Sequence, residues 1–217
     1  MSDPLAMQTE MIAIDFEGTG VVGEHPNEPW QIGMVLIRNG KVEIETSYNR
    51  LLRTGDRPYN PHAPGLHHQL KDEILRAQNL RELWPEVSQW WLNRPLVAHN
   101  CATERGFMTQ AAPMHQLGPW IDTLNLARHV YPKLESHSLE DLLDHLQLMH
   151  QVCELCPGLL PHDAWFDAVG CAVLLQHFLE LPGWDQVTVS ALANVKPKEY
   201  RRKISARTPR APRSRWQ

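Results

Sequence analysis

The sequence predicts an α/β domain, a mixed sheet with helices packed on its faces, and three observations carry that expectation. Two long strand-like runs flank Asn39-Gly40, the dipeptide that a two-residue hairpin favours, so antiparallel strands come first. From Pro95 onward, short apolar runs alternate with helical periodicity, the pattern that adds strand–helix units to a sheet. The segment DAWFDAVGCAVLLQHFLEL is strongly apolar and closed by Pro182-Gly183, as a long helix lying against that sheet would be.

The elements follow in order. EMIAIDFEGTG reads as a short apolar strand running into a Gly-rich turn. PWQIGMVLIR and KVEIETSYNRLL are the two arms of the hairpin. A polar, Pro-rich loop from Arg53 to Pro64 leads to helical periodicity between Gln69 and Leu92, with Pro85 in the first turn of a second helix. PLVAHN is a short strand, and its Asn100 stands where strand gives way to helix. PWIDT is another, followed by the helix TLNLARHVY, which Pro132 stops. In SHSLEDLLDHLQL, Ser138 is an N-cap with Asp141 three positions on, and Leu139, Leu142, Leu143 and Leu146 form one face.

A chain of 217 residues holds one ordinary domain, expected over residues 8–185. No apolar run approaches the roughly 20 residues that span a bilayer, so no membrane partner is expected. MSDPLAMQTE lacks a basic region followed by an apolar stretch, so a cytoplasmic setting is expected and the four cysteines read as reduced thiols. Cys153-x-x-Cys156 with His150 nearby is a single pair, a weak signal for zinc.

Charge is unevenly divided. Residues 195–217 hold nine Lys/Arg and one acid, about +8, while the first 194 carry about −12. The body therefore collects cations. The basic tail, with Lys196, Lys198, Arg201, Arg202 and Lys203 in its first part, suits a polyanion or an acidic protein partner. It has too few apolar residues to fold alone.

Three acidic elements carry the chemistry. Asp15 and Glu17 sit two apart at the end of a strand, so both leave the same face. Held together they repel by about 1 kcal/mol or more unless a cation lies between them, and carboxylate oxygens suit Mg²⁺ or Mn²⁺. His162 and Asp167 bracket the start of the last helix; a histidine can take a proton from water near neutral pH, and a bare inward acid in so apolar a helix is costly. Glu104 lies in the first turn of the helix after PLVAHN. Each element alone also fits an ordinary strand end, loop histidine or helix-start acid.

Together the three resemble the DEDDh exonucleases of the DnaQ-like superfamily. DFEGTG is similar to the family's first motif, Asp-x-Glu-Thr-Thr-Gly. VAHNCATERGF is similar to the second, Ala-His-Asn-Ala-x-Phe-Asp-x-x-Phe, and HDAWFD to the third, a His with an Asp five residues later. QIG, PHAPGLH, IDT and HSLEDLL agree in the gaps, and TLNLARHVYP and PGLLPHDAWFD look most like exonuclease X-type members.

The resemblance spans about residues 9–181. It implies a ribonuclease H-like fold with a five-stranded mixed sheet and 3′–5′ exonuclease activity. The substrate would be a nucleic acid with a 3′ end, single-stranded DNA favoured, and the product nucleoside 5′-monophosphates. It further implies two divalent ions. Asp15 would bridge them, with Glu17 and Asp167 on the nucleophile side, Glu104 on the leaving-group side and His162 as general base. Thr19 and Gly20 would face the terminal nucleotide, with His67 and Asn100 as further substrate contacts. An oligonucleotide-degrading exoribonuclease and a weakly active nucleic-acid-binding subunit are the alternatives. Two departures stand out. Glu104 replaces the family's Asp and adds a methylene, and Gly18 replaces the first Thr, which is expected to loosen the terminal nucleotide's seat.

Overall fold

The computed structural model describes residues 3–196. Its strands are β1 (Met11–Gly18), β2 (Pro29–Arg38), β3 (Lys41–Leu51), β4 (Leu96–Ala98) and β5 (Trp120–Asp122). Its helices are α1 (Lys71–Arg76), α2 (Trp84–Trp91), α3 (Ala102–Ala111), α4 (Thr123–Val130), α5 (Leu139–His145), α6 (Met149–Leu155), α7 (Ala164–Leu179) and α8 (Val189–Ala193). The sheet order is β3-β2-β1-β4-β5, antiparallel across β3, β2 and β1 and parallel across β1, β4 and β5. This is the expected mixed five-stranded sheet flanked by helices. Asn39 and Gly40 both take positive φ, 53° and 71°, as the hairpin turn requires.

The period of two along β1 and β2 divides the core. Ile12, Ile14, Phe16, Ile32, Met34 and Leu36 face α2 and α3, packing on Val87, Trp91, Phe107 and Met108. Met11, Ala13, Val35 and Ile37 face the other way, onto α7 and the smaller helices around it. Phe166, Leu174, Leu175 and Phe178 of α7 are fully buried there, each contributing about 1.5–3 kcal/mol.

Gly33 brings α7 onto the sheet. A Cβ at this position would lie 2.2 Å from the carbonyl carbon and oxygen of Ala164, so only glycine admits the helix start at this depth.

Residues outside the expected limits of 8 and 185 also pack. Ala6 N donates to Val187 O, Leu5 bridges Thr188, and Ala6, Val189 and Leu192 lie in the core. Helices α6 and α8 are additions to the elements expected from the sequence. Each is a single short segment whose apolar residues are too few to show a period, and each takes its shape from the core face it covers. No described helix is long and apolar enough to cross a membrane.

Candidate active site

Asp15 and Glu17 continue the Met11, Ala13 row of β1 and so project toward α7. Across the ladder, Asp15 pairs with Gly33 and Glu17 with Gln31. The close approach permitted by Gly33 therefore sets the start of α7 beside the first acid. The carboxyl ends of β1, β4 and β5 share one edge, where Glu104 enters from the first turn of α3.

The third motif is held by its own hydrogen bonds. Asp163 caps α7, accepting from Trp165 N and Phe166 N, and its Oδ2 accepts from Gln31 Nε2 at 2.8 Å. His162 takes φ +69°, and its N donates to Asp167 Oδ2 at 3.1 Å. One ligand-type atom from each of Glu17, His162 and Asp167 lies within 4.8 Å of the others.

The electrostatics join the remaining acids to this trio. Burial raises the Asp15 carboxyl well above the usual range, and Asp167, Glu104, Glu17 and Asp163 raise it further by repulsion. Glu17 is pushed up to about 8 by burial and then by Asp167, Asp163 and Glu104. Asp167 reaches about 7 through burial, opposed by the His162 N–H and reinforced by Glu140 and Asp163. Glu104 also reaches about 7, mainly through burial, and its Oε2 is buried with no hydrogen-bond partner. A hard divalent cation would relieve this repulsion and satisfy the orphaned oxygen, so the residues present fit such an ion.

The turn after β1 is clamped. Thr19 is fully buried; its Oγ1 accepts from Glu28 N and donates to Gly20 O, and its carbonyl accepts from Asn60 N. Gly20 N donates to Asn27 Oδ1 at 2.7 Å. A Cβ at Gly18 would lie 2.5 Å from Asn27 Oδ1. The asparagine amide occupies that space and ties the turn. His67 is buried, stacked on Tyr59 at 4.8 Å, and burial holds its imidazole below the usual pKa. Asn100 is exposed, with φ +71° and its N donating to Asp122 Oδ1. It lines a cleft of about 550 Å³ shared with Arg128, Glu140, His162 and Asp167.

Sequence reasoning missed Gln31, Asp163 and Glu140. Gln31 and Asp163 sit inside matched segments but act by contact between β2 and α7, and Glu140 reaches His162 from α5. His99 is structural: its nitrogens meet Thr123 Oγ1 and the His137 carbonyl. Cys156 is buried and Cys153 exposed, and the metal-type grouping among the described residues is the acidic one. Lys196 is exposed, whereas Lys198, Arg201, Arg202 and Lys203 lie outside the described residues.

The exonuclease family model RNase_T matches residues 12–175. A DNA polymerase III of PolC type from Halalkalibacterium halodurans is 28% identical over 146 residues, covering 63% of this chain and 10% of the relative. The chain thus spans about a tenth of the length of the curated relatives it matches. The nuclease domain of 3′hExo, a DEDDh family member bound to rAMP, shares the fold at TM-score 0.62 and 16% identity, over 85% of this chain and 98% of that one. S. pombe Pop2p in its Mg²⁺- and Mn²⁺-bound form does so at TM-score 0.62 and 14% identity, over 85% and 88%. With the family match running through all three acidic elements, the chain belongs to the RNase T-type exonucleases, the DEDDh family of metal-dependent 3′–5′ exonucleases.

Proposed function

We propose that this domain removes nucleotides one at a time from the 3′ end of single-stranded DNA with two divalent ions, Mg²⁺ or Mn²⁺, releasing nucleoside 5′-monophosphates. The observation that carries the reading is the convergence of Glu17, His162 and Asp167 within 4.8 Å, in one electrostatic field with Asp15 and Glu104.

Asp15, Glu17, Glu104 and Asp167 would hold the ions. Bound there, the ions supply charge neutralisation at the phosphate and activation of water. His162, half-exposed at the mouth of the cleft, accepts the proton of the attacking water. The clamped Thr19–Gly20 turn shapes the seat of the terminal nucleotide, with His67 behind it and Asn100 on the cleft rim. An acidic body can then receive a polyanion, because the ions invert the local charge.

DNA is favoured by the DNA polymerase relative, and the rAMP bound to the 3′hExo domain keeps RNA as the second substrate to test. The basic tail adds contacts to nucleic acid or to a protein partner. The four free thiols fit a cytoplasmic, reducing setting.

The test is digestion of 3′- and 5′-labelled single strands, in DNA and in RNA, with Mg²⁺ and with chelator. Stepwise shortening from the 3′ end of DNA, abolished by chelator and by Asp15→Ala or Asp167→Ala, is the expected result. Faster cleavage of RNA would reassign the substrate, and near-normal turnover in either variant would overturn the site.

A further inference from the structure

Glu140 lies in the first turn of α5, outside all three motifs, yet its Oε1 is 3.2 Å from His162 Nε2. The His162 backbone is already fixed by its positive φ, by its N–H to Asp167 and by the close passage of Gly65, where a Cβ would lie 3.0 Å from His162 O. The imidazole has a separate anchor. Its Nε2 lies within ion-pair distance of the Glu140 carboxylate.

Helix capping does not account for Glu140. Ser138 is the N-cap, its Oγ accepting from Asp141 N and donating to Asp141 Oδ2 at 2.6 Å, so the neighbouring acid serves that purpose. The Glu140 carboxylate is left to reach across the cleft that it lines together with His162 and Asp167.

We propose that Glu140 is a positioning residue for His162, holding the imidazole in one tautomer and one orientation. The proposal rests on the reading of His162 as the general base. An imidazole that takes a proton from water must present a lone pair on one nitrogen, and an acceptor on the other nitrogen fixes which one. With its proton on Nε2, facing the Glu140 carboxylate at 3.2 Å, the ring would keep its lone pair on Nδ1. When Nδ1 takes the water proton, the ring becomes an imidazolium with both nitrogens protonated, and the Glu140 carboxylate stabilises it through Nε2–H.

Two measurements on the full chain test this. The first is the ¹⁵N spectrum of the His162 ring, which does not depend on turnover. A single Nε2–H tautomer is expected in the wild type and a mixture in Glu140→Ala. The second is kinetics on a short oligonucleotide with Mg²⁺. Glu140→Ala should lower kcat by about 10–100-fold, the range for an outer partner of a site residue, with KM within about twofold. Glu140→Gln keeps the shape but loses the charge, and its NH₂ can turn toward Nε2, so it should restore folding and little of the rate. In a His162→Ala background, Glu140→Ala should add no further loss.

A rise in KM at constant kcat, an equal further loss in the His162→Ala background, a faster Glu140→Ala enzyme, or an unchanged tautomer would each overturn the proposal. Circular dichroism and the thermal midpoint guard against misfolding, and misfolding of Glu140→Ala with full rescue by Glu140→Gln would mark the residue as structural. An inactive wild-type chain would overturn the functional reading instead, and the ring spectrum would then decide the contact alone.

Discussion

Gln31 Nε2 donates to Asp163 Oδ2 at 2.8 Å, while Gln31 Oε1 accepts from Ala164 N at 3.3 Å, so one amide of β2 grips both the cap and the first residue of α7. His162 stands immediately before that cap and Asp167 one turn beyond it. The buried amide therefore sets the registry of the third motif against Asp15 and Glu17. Gln31→Leu should cost about 1–3 kcal/mol in urea unfolding, because buried polar partners lose their bonds. It should also lower kcat/KM by about 100-fold, the scale of a 1 Å misplacement. Normal values for both would mean that the packing at Gly33 holds the helix start unaided.

The raised carboxyl pKa values fix the sign of a pH effect on the metal-free protein. Glu17 near 8 and Asp167 and Glu104 near 7 stand above their unfolded values of about 4, so the folded state keeps protons that the unfolded chain has released. That stabilisation is present at low pH and is lost as pH rises through 7 to 8. His67, His99 and His177, whose pKa values desolvation lowers, work in the opposite sense below about 6.5, so the informative window is pH 7–8.5. Without metal, urea midpoints should fall across that window. Mg²⁺ should raise them more at pH 8.5 than at pH 7, since protons compete with the ion. Asp15→Asn should be more stable than wild type without metal at pH 8 and should gain less from Mg²⁺. A pH-independent Mg²⁺ effect would show that these carboxylates do not hold the ion.

Glu104 is buried with an unpartnered Oε2, as suits a ligand adapted to its longer arm. Glu104→Ala should lower the rate by more than about 100-fold, beyond the loss usual for an outer partner of a metal site. Glu104→Asp should not raise it. Rates titrated over Mg²⁺ and Mn²⁺ decide the matter, and a clearly faster Glu104→Asp would identify the wild-type glutamate as a weakened ligand.

Among the described residues, the buried core ends at Leu192, and every proposed chemical group lies at or before Asp167. Removing residues 197–217 should leave the thermal midpoint and the rate on a saturating short oligonucleotide unchanged. If the tail binds nucleic acid, affinity for longer strands should weaken, and the log–log salt slope should become shallower by about one for each phosphate that the tail had neutralised. An unchanged slope would leave a protein partner as the tail's target.

The strand and helix order was legible in the sequence because period and punctuation are local properties. Asn39-Gly40 marked the hairpin, Pro85 the start of α2, Ser138 the cap of α5 and Pro182-Gly183 the end of α7. The five candidate site residues stood out for a related reason: two acids on one strand face, an acid in the first turn of a helix after a strand, and a histidine five residues before an inward acid are patterns within short segments. What lay between segments was not legible. That Gly33 admits the backbone of Ala164, that Asn27 fills the space beside Gly18, and that Glu140 meets His162 became visible only with the chain folded. These pairs stand 9–131 positions apart in the chain, and spacing along it carries no record of which side chains tertiary packing will bring within a hydrogen bond.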